Sequence, residues 1–550
     1  MNFLARFLVS AALVVPLSTA MAELPHLKQQ GTAKQLIVDG RPFLIRGGEL
    51  GNSTGEPDYL RTYWPKLQAL GLNTVLAPIY WDVIEPEEGR FDFSTVDRLI
   101  ADARENDLRL VLLWFGSWKN SMSCYAPAWV KQDFKRFPRS RTSDGAAIEI
   151  LSPFHASNRD TDARSFAALM RRIREIDGTQ NTVVMVQVQN EIGMIPEARD
   201  RDPEADRQFA GPVPAELMDY LVKNEATLAP ELRETWVKAG AKRQGTWTEI
   251  FGPTVATDEI FMAWHFARYV EVVTAAGKKE HPLPMFVNAA LIRSGHLPGQ
   301  YPSAGPLPHL MDVWRAGSPS TDFLAPDIYF QDFSGWARRY ARNGNPLFIP
   351  ETLRSAESAA NCLYAFGALD AIGFCPFGIE TIAEPAGKLL KDSYALVAQL
   401  SPLIAEHQGR GTMTGLLPAG PEQRQPQQVW LGGYVVHVAF ERGTPPPLSD
   451  GVINPTGAAG GAPTLPAGGL VIAIGPDEFL FAGTGITATF SQRTGEKMQI
   501  GLLSVEEGNF VDGKWRHIRW LNGDQTNQGR HVRIAPGRFE IQRVKLYRYN

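Results

Sequence analysis

Thr182-Val-Val-Met-Val-Gln-Val-Gln-Asn-Glu191 and Pro346-Leu-Phe-Ile-Pro-Glu351 are short, mostly apolar runs that each close on a glutamate. Near-continuous apolar character is what a strand covered on both faces requires, as in a parallel sheet sheathed by helices. Working outward, runs of the same kind occur at Phe43–Leu50, Thr74–Trp81, Arg109–Gly116, Met285–Leu291, Phe323–Phe330 and Ala371–Glu380. Amphipathic stretches separate them. Tyr59–Leu70, for example, is apolar at Leu60, Tyr63, Trp64, Leu67 and Leu70 and stops at Gly71, which reads as one helix and its terminus. Eight strands alternating with helices predict an α/β fold, a (β/α)8 TIM barrel, over residues 23–400.

Two segments depart from that rhythm. Ile192–Pro284 is too long for one barrel helix, so an insertion over the barrel mouth is expected at about 192–284, with helical patterns at Glu216–Lys223 and Phe261–Ala276. Beyond Ser401 the texture becomes β-type alternation with turn residues, as in Val429–Val438 and Arg538–Tyr547, predicting a C-terminal all-β, sandwich-like domain over 401–550. Gly443–Gly469, rich in Pro and Gly, reads as a loop within it.

The chain has 550 residues, 44% hydrophobic and 21% charged, with a formal net charge of −4. A chain of that length buries a large core, and without a basic excess a nucleic-acid partner is excluded. Arg6, the apolar run Phe7–Leu17 and Ala20-Met21-Ala22 form an export signal cleaved before Glu23. The expected location is therefore periplasmic or extracellular. The apolar run is too short to span a bilayer, so no membrane span is expected after cleavage. Cys124, Cys362 and Cys375 are expected to stay unpaired. The scattered histidines lack any metal-ligating spacing, and neither a metal nor a cofactor is expected.

In such a barrel the working residues stand at the C-terminal strand ends. Glu191 ends strand four and Glu351 ends strand seven, on opposite sides of the barrel mouth, where their carboxyl groups can face each other across a cleft. A retaining glycosidase needs two carboxyls ~5–5.5 Å apart, one to protonate the leaving group and one to attack the anomeric carbon. Glu191 is the expected acid/base and Glu351 the expected nucleophile.

Ala77-Pro-Ile-Tyr-Trp-Asp-Val-Ile-Glu-Pro-Glu-Glu-Gly-Arg-Phe-Asp-Phe93, Ala126-Pro-Ala-Trp-Val130 and Gln187-Val-Gln-Asn-Glu191 carry a resemblance to clan A glycosidases, most closely glycoside hydrolase family 35, across roughly residues 35–400. The resemblance implies a retaining β-galactosidase acting on terminal β-galactosides of oligosaccharides or plant polysaccharide side chains, with Glu191 and Glu351 in the roles given above. Three positions depart from the family: Gln189 stands where it usually has Glu, Ile192 replaces an aromatic, and Asn181-Thr-Val replaces Gly-Gly-Pro. Tyr80 resembles the tyrosine with which the family bonds galactose, and Asn190 is expected on the sugar 2-hydroxyl. Trp118 and Asn120, in the polar and aromatic loop Gly116-Ser-Trp-Lys-Asn120, are expected to stack on a sugar and to bond a hydroxyl. Tyr329 is expected to donate to Glu351 and favour its charged form. Glu49 and Glu380, ending strands one and eight, are expected to bind hydroxyls or to pair with a rim charge. Another clan A activity (β-xylosidase, arabinopyranosidase or β-mannanase) keeps both glutamates, and a silent carbohydrate-binding barrel would have lost one.

Overall fold

A computed structural model describes residues 23–420, 426–441, 465–493 and 498–550. The expected export segment and most of the stretch Gly443–Gly469, expected as a loop, lie outside the described residues. Eight parallel strand positions form the barrel: β1 (Ile45–Glu49), β2 (Thr74–Tyr80), β3 (Arg109–Lys119), β4 (Val183–Asn190), β5 (Met285–Ala290), β6 (Phe323–Ile328), β7 in two pieces (Phe348–Ile349 and Glu351–Thr352) and β8 (Gly373–Phe374). Every expected apolar run is one of these strands. The first piece of β7 pairs with β8 and the second with β6, so the pairing order closes on itself. The break falls at Pro350, which has no N–H to give to a ladder.

The barrel interior is a packed core. Ile45, Leu76, Val111, Leu113, Phe286, Phe323 and Phe348 meet there, with Phe286 and Phe323 stacked at 5.1 Å. Each such side chain withdrawn from water contributes roughly 1.5–3 kcal/mol. An antiparallel hairpin, His26–Gln30 with Ala33–Val38, seals the N-terminal end by adding Leu36 and Val38 to that core. Asp39 after the hairpin accepts from Arg109 (2.6 Å) and Asn181 (2.8 Å), which precede the apolar parts of β3 and β4. With the floor closed, the opposite end is left for a site.

Helix α1 (Ala156–Asp177) follows β3, and the chain returns from β4 to β5 through α2 (Val255–Glu280), which packs along α1. The helical pattern at Phe261–Ala276 is thus part of the barrel's own helical layer. Shorter helices at Pro203–Phe209, Ala215–Lys223, Pro230–Lys238 and Trp247–Phe251 fill the preceding stretch. No helix among the described residues is long and apolar enough to cross a membrane.

After the barrel, two antiparallel sheets of six and four strands enclose their own core of Tyr434, Val436, Val471, Phe479, Phe481 and Val544. The larger sheet lies on α3 (Ser358–Leu369), the helix after β7. Gly367 makes that approach possible, since a Cβ there would come within 2.7 Å of Leu470 Cβ and 3.0 Å of Gly415 Cα. All three cysteines are free.

Candidate active site

Strand β3 runs past the apolar stretch because its end is bulged. Trp114 pairs with Val188 of β4, yet the next paired residue is Lys119, opposite Asn190. The intervening residues are braced from below by buried Asp162 of α1, which accepts from Trp114 Nε1 (2.8 Å), the Ser117 amide (3.2 Å) and Gln189 Nε2 (2.6 Å). Gln189 in turn accepts from the Trp118 amide at 3.0 Å. Gly116 has no room for a side chain, because a Cβ would sit 2.3 Å from Trp114 Nε1 and 2.9 Å from Asp162 Oδ1.

The bulge ends in a tight turn. Lys119 and Met122 exchange backbone bonds of 2.8 and 3.0 Å around Asn120 (φ 49°) and Ser121 (φ 69°). Two successive positive-φ residues are the mark of a type I′ turn, and Asn tolerates that region better than most side chains. The turn is sewn to the end of β4 by Asn120 N–H to Asn190 O (3.2 Å) and Ser121 N–H to Glu191 O (3.0 Å). Glu191 itself has φ 44°, a left-handed conformation that costs of order 1–3 kcal/mol and is held by these neighbours.

Four buried carboxyls converge over this frame. Glu191, Asp327 and Glu351 each place an oxygen within 4.8 Å of the others, the single such group of potential metal-holding side chains among the described residues. Glu351 is surrounded by donors: Tyr329 Oη at 2.7 Å on one oxygen, and Asn190 Nδ2 at 3.1 Å with Asn288 Nδ2 at 3.4 Å on the other. Asn120 Nδ2 donates to Glu191. Asn288 ties the group together, accepting from the Glu191 amide (3.0 Å) and donating to Asp327 (2.7 Å). Burial first, then the nearby Glu351 charge, pushes Glu191 up to about 7. The same causes raise Asp327 and Glu49 well above the usual carboxylate range. Among the described residues no amide, hydroxyl or cationic group bonds either oxygen of Glu49, and Asn288 alone bonds Asp327, so their remaining partners are the neighbouring carboxyls Glu351 and Glu191. Protonated carboxyls in these places can donate to a substrate hydroxyl or to a neighbouring carboxylate.

The structure brings together Glu49, Asn120, Asn190, Glu191, Tyr329 and Glu351. It places three other candidates differently. Trp118, expected to stack on a sugar, is completely buried, donates to Leu151 O (3.2 Å) and packs on Phe266 and Tyr269. The bulge turns its ring inward, so it supports the site from beneath. Glu380 is committed to the loop after β1, accepting from the Gly51 amide (3.2 Å) and Thr54 Oγ1 (3.0 Å). Tyr80 Oη accepts from the Gly55 amide (3.2 Å) and its ring stacks on Tyr125, which leaves the hydroxyl proton for another acceptor. Lys119, Asn288 and Asp327 were not anticipated. Their signal was a polar residue within or just past an apolar strand: Asn288 in β5, Asp327 in β6, and Lys119 beside Asn120.

Residues 57–272 match the glycoside hydrolase family 42 model, described as beta-galactosidase, and residues 390–533 match a domain of unknown function (DUF5597). A beta-galactosidase of Xanthomonas manihotis is 33% identical over 113 residues, covering 20% of this chain and 19% of that protein. Human beta-galactosidase-1-like protein 3 is 31% identical over 163 residues, 28% of this chain and 23% of its own. The cold-adapted beta-galactosidase of Rahnella sp. R3 superposes with a TM-score of 0.45 at 17% identity, covering 66% of this chain and 57% of that one. This chain thus spans less than a quarter of the two curated relatives' length. The family model that matches is 42, in place of the family 35 that the motifs resemble, and the match lies within the barrel.

Proposed function

We propose that the chain is a retaining β-galactosidase that releases terminal β-galactosyl residues from oligosaccharides or polysaccharide side chains. Families 35 and 42 lead to the same reading, and the family-42 match takes precedence because it extends over residues 57–272 where the motifs are three short runs. The observation that carries the mechanism is the close approach of Glu191 and Glu351, with oxygens within 4.8 Å, in keeping with the ~5–5.5 Å of retaining enzymes and short of the ~6.5–9.5 Å that inverting ones need for a water.

The two carboxyls are differentiated by their surroundings. Glu351, with its three donors, is suited to attack the anomeric carbon, and displacement there forms a glycosyl-enzyme. Glu191, pushed up to about 7, enters holding the proton that the leaving oxygen takes. As a carboxylate it then removes a proton from the water that releases the sugar. Asn190, already bonded to Glu351, lies where a sugar 2-hydroxyl would meet it, and Glu49 and Asp327 offer buried oxygens to other hydroxyls. Export with cleavage before Glu23 belongs to the same proposal.

The test is a panel of aryl β-galactosides, β-xylosides, α-arabinopyranosides and β-mannosides, with the first-formed anomer followed by proton NMR. Fastest turnover of the galactoside with β-galactose appearing first is expected. An α-first product overturns the mechanism, and preference for another glycoside overturns the substrate.

A further inference from the structure

We propose that Lys119, the buried lysine at the bulged end of β3, is the positioning residue that orients two asparagines at once, so that Asn120 donates to Glu191 and Asn190 donates to Glu351. The proposal deepens the glycosidase reading and rests on it for the meaning of those two carboxyls. Its geometry stands independently.

A carboxamide has a donor end and an acceptor end, and which way it points is set by its partners. The Lys119 ammonium can only donate. It meets Asn190 Oδ1 at 2.8 Å and also donates to Asn120 Oδ1. With both oxygens held by one cation, both NH2 groups face outward. Asn190 Nδ2 then lies 3.1 Å from Glu351 Oε1, and Asn120 Nδ2 bonds Glu191 Oε2. Turning either amide over would set NH2 against the ammonium, and for Asn190 it would also set the oxygen against Glu351. One ammonium therefore aims a donor at each member of the pair.

The fold is built to hold that ammonium in place. Lys119 is 5% exposed, pairs directly with Asn190 in the ladder, opens the type I′ turn that carries Asn120, and lies 5.1 Å from the centre of the Phe115 ring. No carboxylate is within ion-pair distance of it among the described residues, so it is not spent on a salt bridge. Its charge also lowers the titration of Glu191 and Glu49, opposing the burial that raises both. The groups facing Glu191 are Lys119 from β3, Glu351 from β7, Asp327 from β6 and, further off, Glu49 from β1.

The experiment follows Glu191 directly by carbon-13 NMR of the full chain labelled at the glutamate carboxyl, assigned with Glu191→Gln. Lys119→Met is expected to raise the Glu191 midpoint by half a pH unit or more, and Lys119→Arg to recover most of that shift. In an Asn120→Ala background the Lys119→Met shift should shrink to less than half, because part of the effect passes through the amide. A Glu191 midpoint unmoved by Lys119→Met, or a full shift surviving Asn120→Ala, overturns the proposal. A second arm measures kcat and KM on an aryl galactoside. Lys119→Met should lower kcat at least 10-fold with little change in KM, but less than 3-fold in an Asn190→Ala background, and additive losses count against it. Thermal melts of each variant separate misfolding from mispositioning. Should the wild type lack glycosidase activity, the reading of function fails while the NMR arm still decides the role of Lys119.

Discussion

Replacing Glu191 by glutamine removes a proton-binding group whose folded and unfolded states bind that proton with different strength. Burial and Glu351 lift the carboxyl from 4.5 to about 7. At ~1.4 kcal/mol per unit, that difference corresponds to roughly 3 kcal/mol, shared with the carboxyls to which it is coupled. A group raised on folding stabilises the native state fully below its unfolded value, and that stabilisation is lost as pH climbs through the folded value. Wild type and Glu191→Gln should therefore melt alike near pH 4, diverge between pH 4.5 and 7, and stay apart above pH 8, the glutamine variant being the more stable. With an unfolding entropy of ~2.1 cal/mol/K per residue, a cooperative chain of this size would show a Tm gap of at most ~3 °C. Glutamine can still accept from Asn120, so packing changes little. Calorimetric melts at half-unit intervals from pH 4 to 9 measure the gap. A constant offset between the two proteins over the whole range would refute the claim that Glu191 is buried beside Glu351 with a raised affinity for its proton.

Further expectations concern the reaction. Glu191→Ala should retain rate on aryl galactosides with good leaving groups and, with azide, yield the β-galactosyl azide; Glu351→Ala should be nearly inactive on every substrate and yield the α-azide, and product stereochemistry by NMR separates the two. Wild-type kcat/KM should decline as pH rises through about 7, because the acid must enter protonated, and a profile flat to pH 9 would assign the proton elsewhere. Tyr329→Phe deletes the 2.7 Å bond to Glu351 and should lower kcat about 10- to 100-fold, the range expected for losing a hydrogen bond to a charged group. Material exported by a bacterial host should begin near Glu23, checked by N-terminal sequencing.

The strands were legible because a strand covered on both faces has no polar alternation to blur it, and the two glutamates were legible because they stand where such runs stop. What escaped was polar chemistry within a run. Asn288 and Asp327 lie inside β5 and β6, and nothing local distinguishes a polar residue that crowns the cleft from one that bonds a backbone. Ser117-Trp118-Lys119 reads as loop because a bulge has no periodicity of its own. Its support comes from Asp162 and Gln189, 45 and 72 residues from Ser117 in the chain. Trp118 was accordingly expected at the pocket wall, while the bulge turns it into the core. The hairpin at the barrel floor escaped for a similar reason: Leu36 and Val38 gain their meaning only from the open barrel end they fill.

One departure from the resembled family, Gln189, makes sense once charge is considered around the whole mouth. Glu49, Asp327, Glu191 and Glu351 crowd one another, with Lys119 acting on Glu49 and Glu191, and four full anions there would repel one another. Burial eases this by raising Glu49, Asp327 and Glu191, each of which then holds its proton more tightly, while donors are concentrated on Glu351. The proposed roles of the pair rest on an asymmetry of donors, three on Glu351 against one side-chain amide on Glu191, since both are comparably buried. Gln189 continues the same logic one layer down. Its side chain is buried against Asp162, a carboxyl already raised by burial, and it must donate to that carboxyl while accepting from the Trp118 amide. An ionised glutamate could accept from Trp118 but would face Asp162 with a second negative charge and no proton to give. The neutral amide satisfies both partners, and through them it keeps the bulge that carries Lys119 and Asn120 up to the carboxyls.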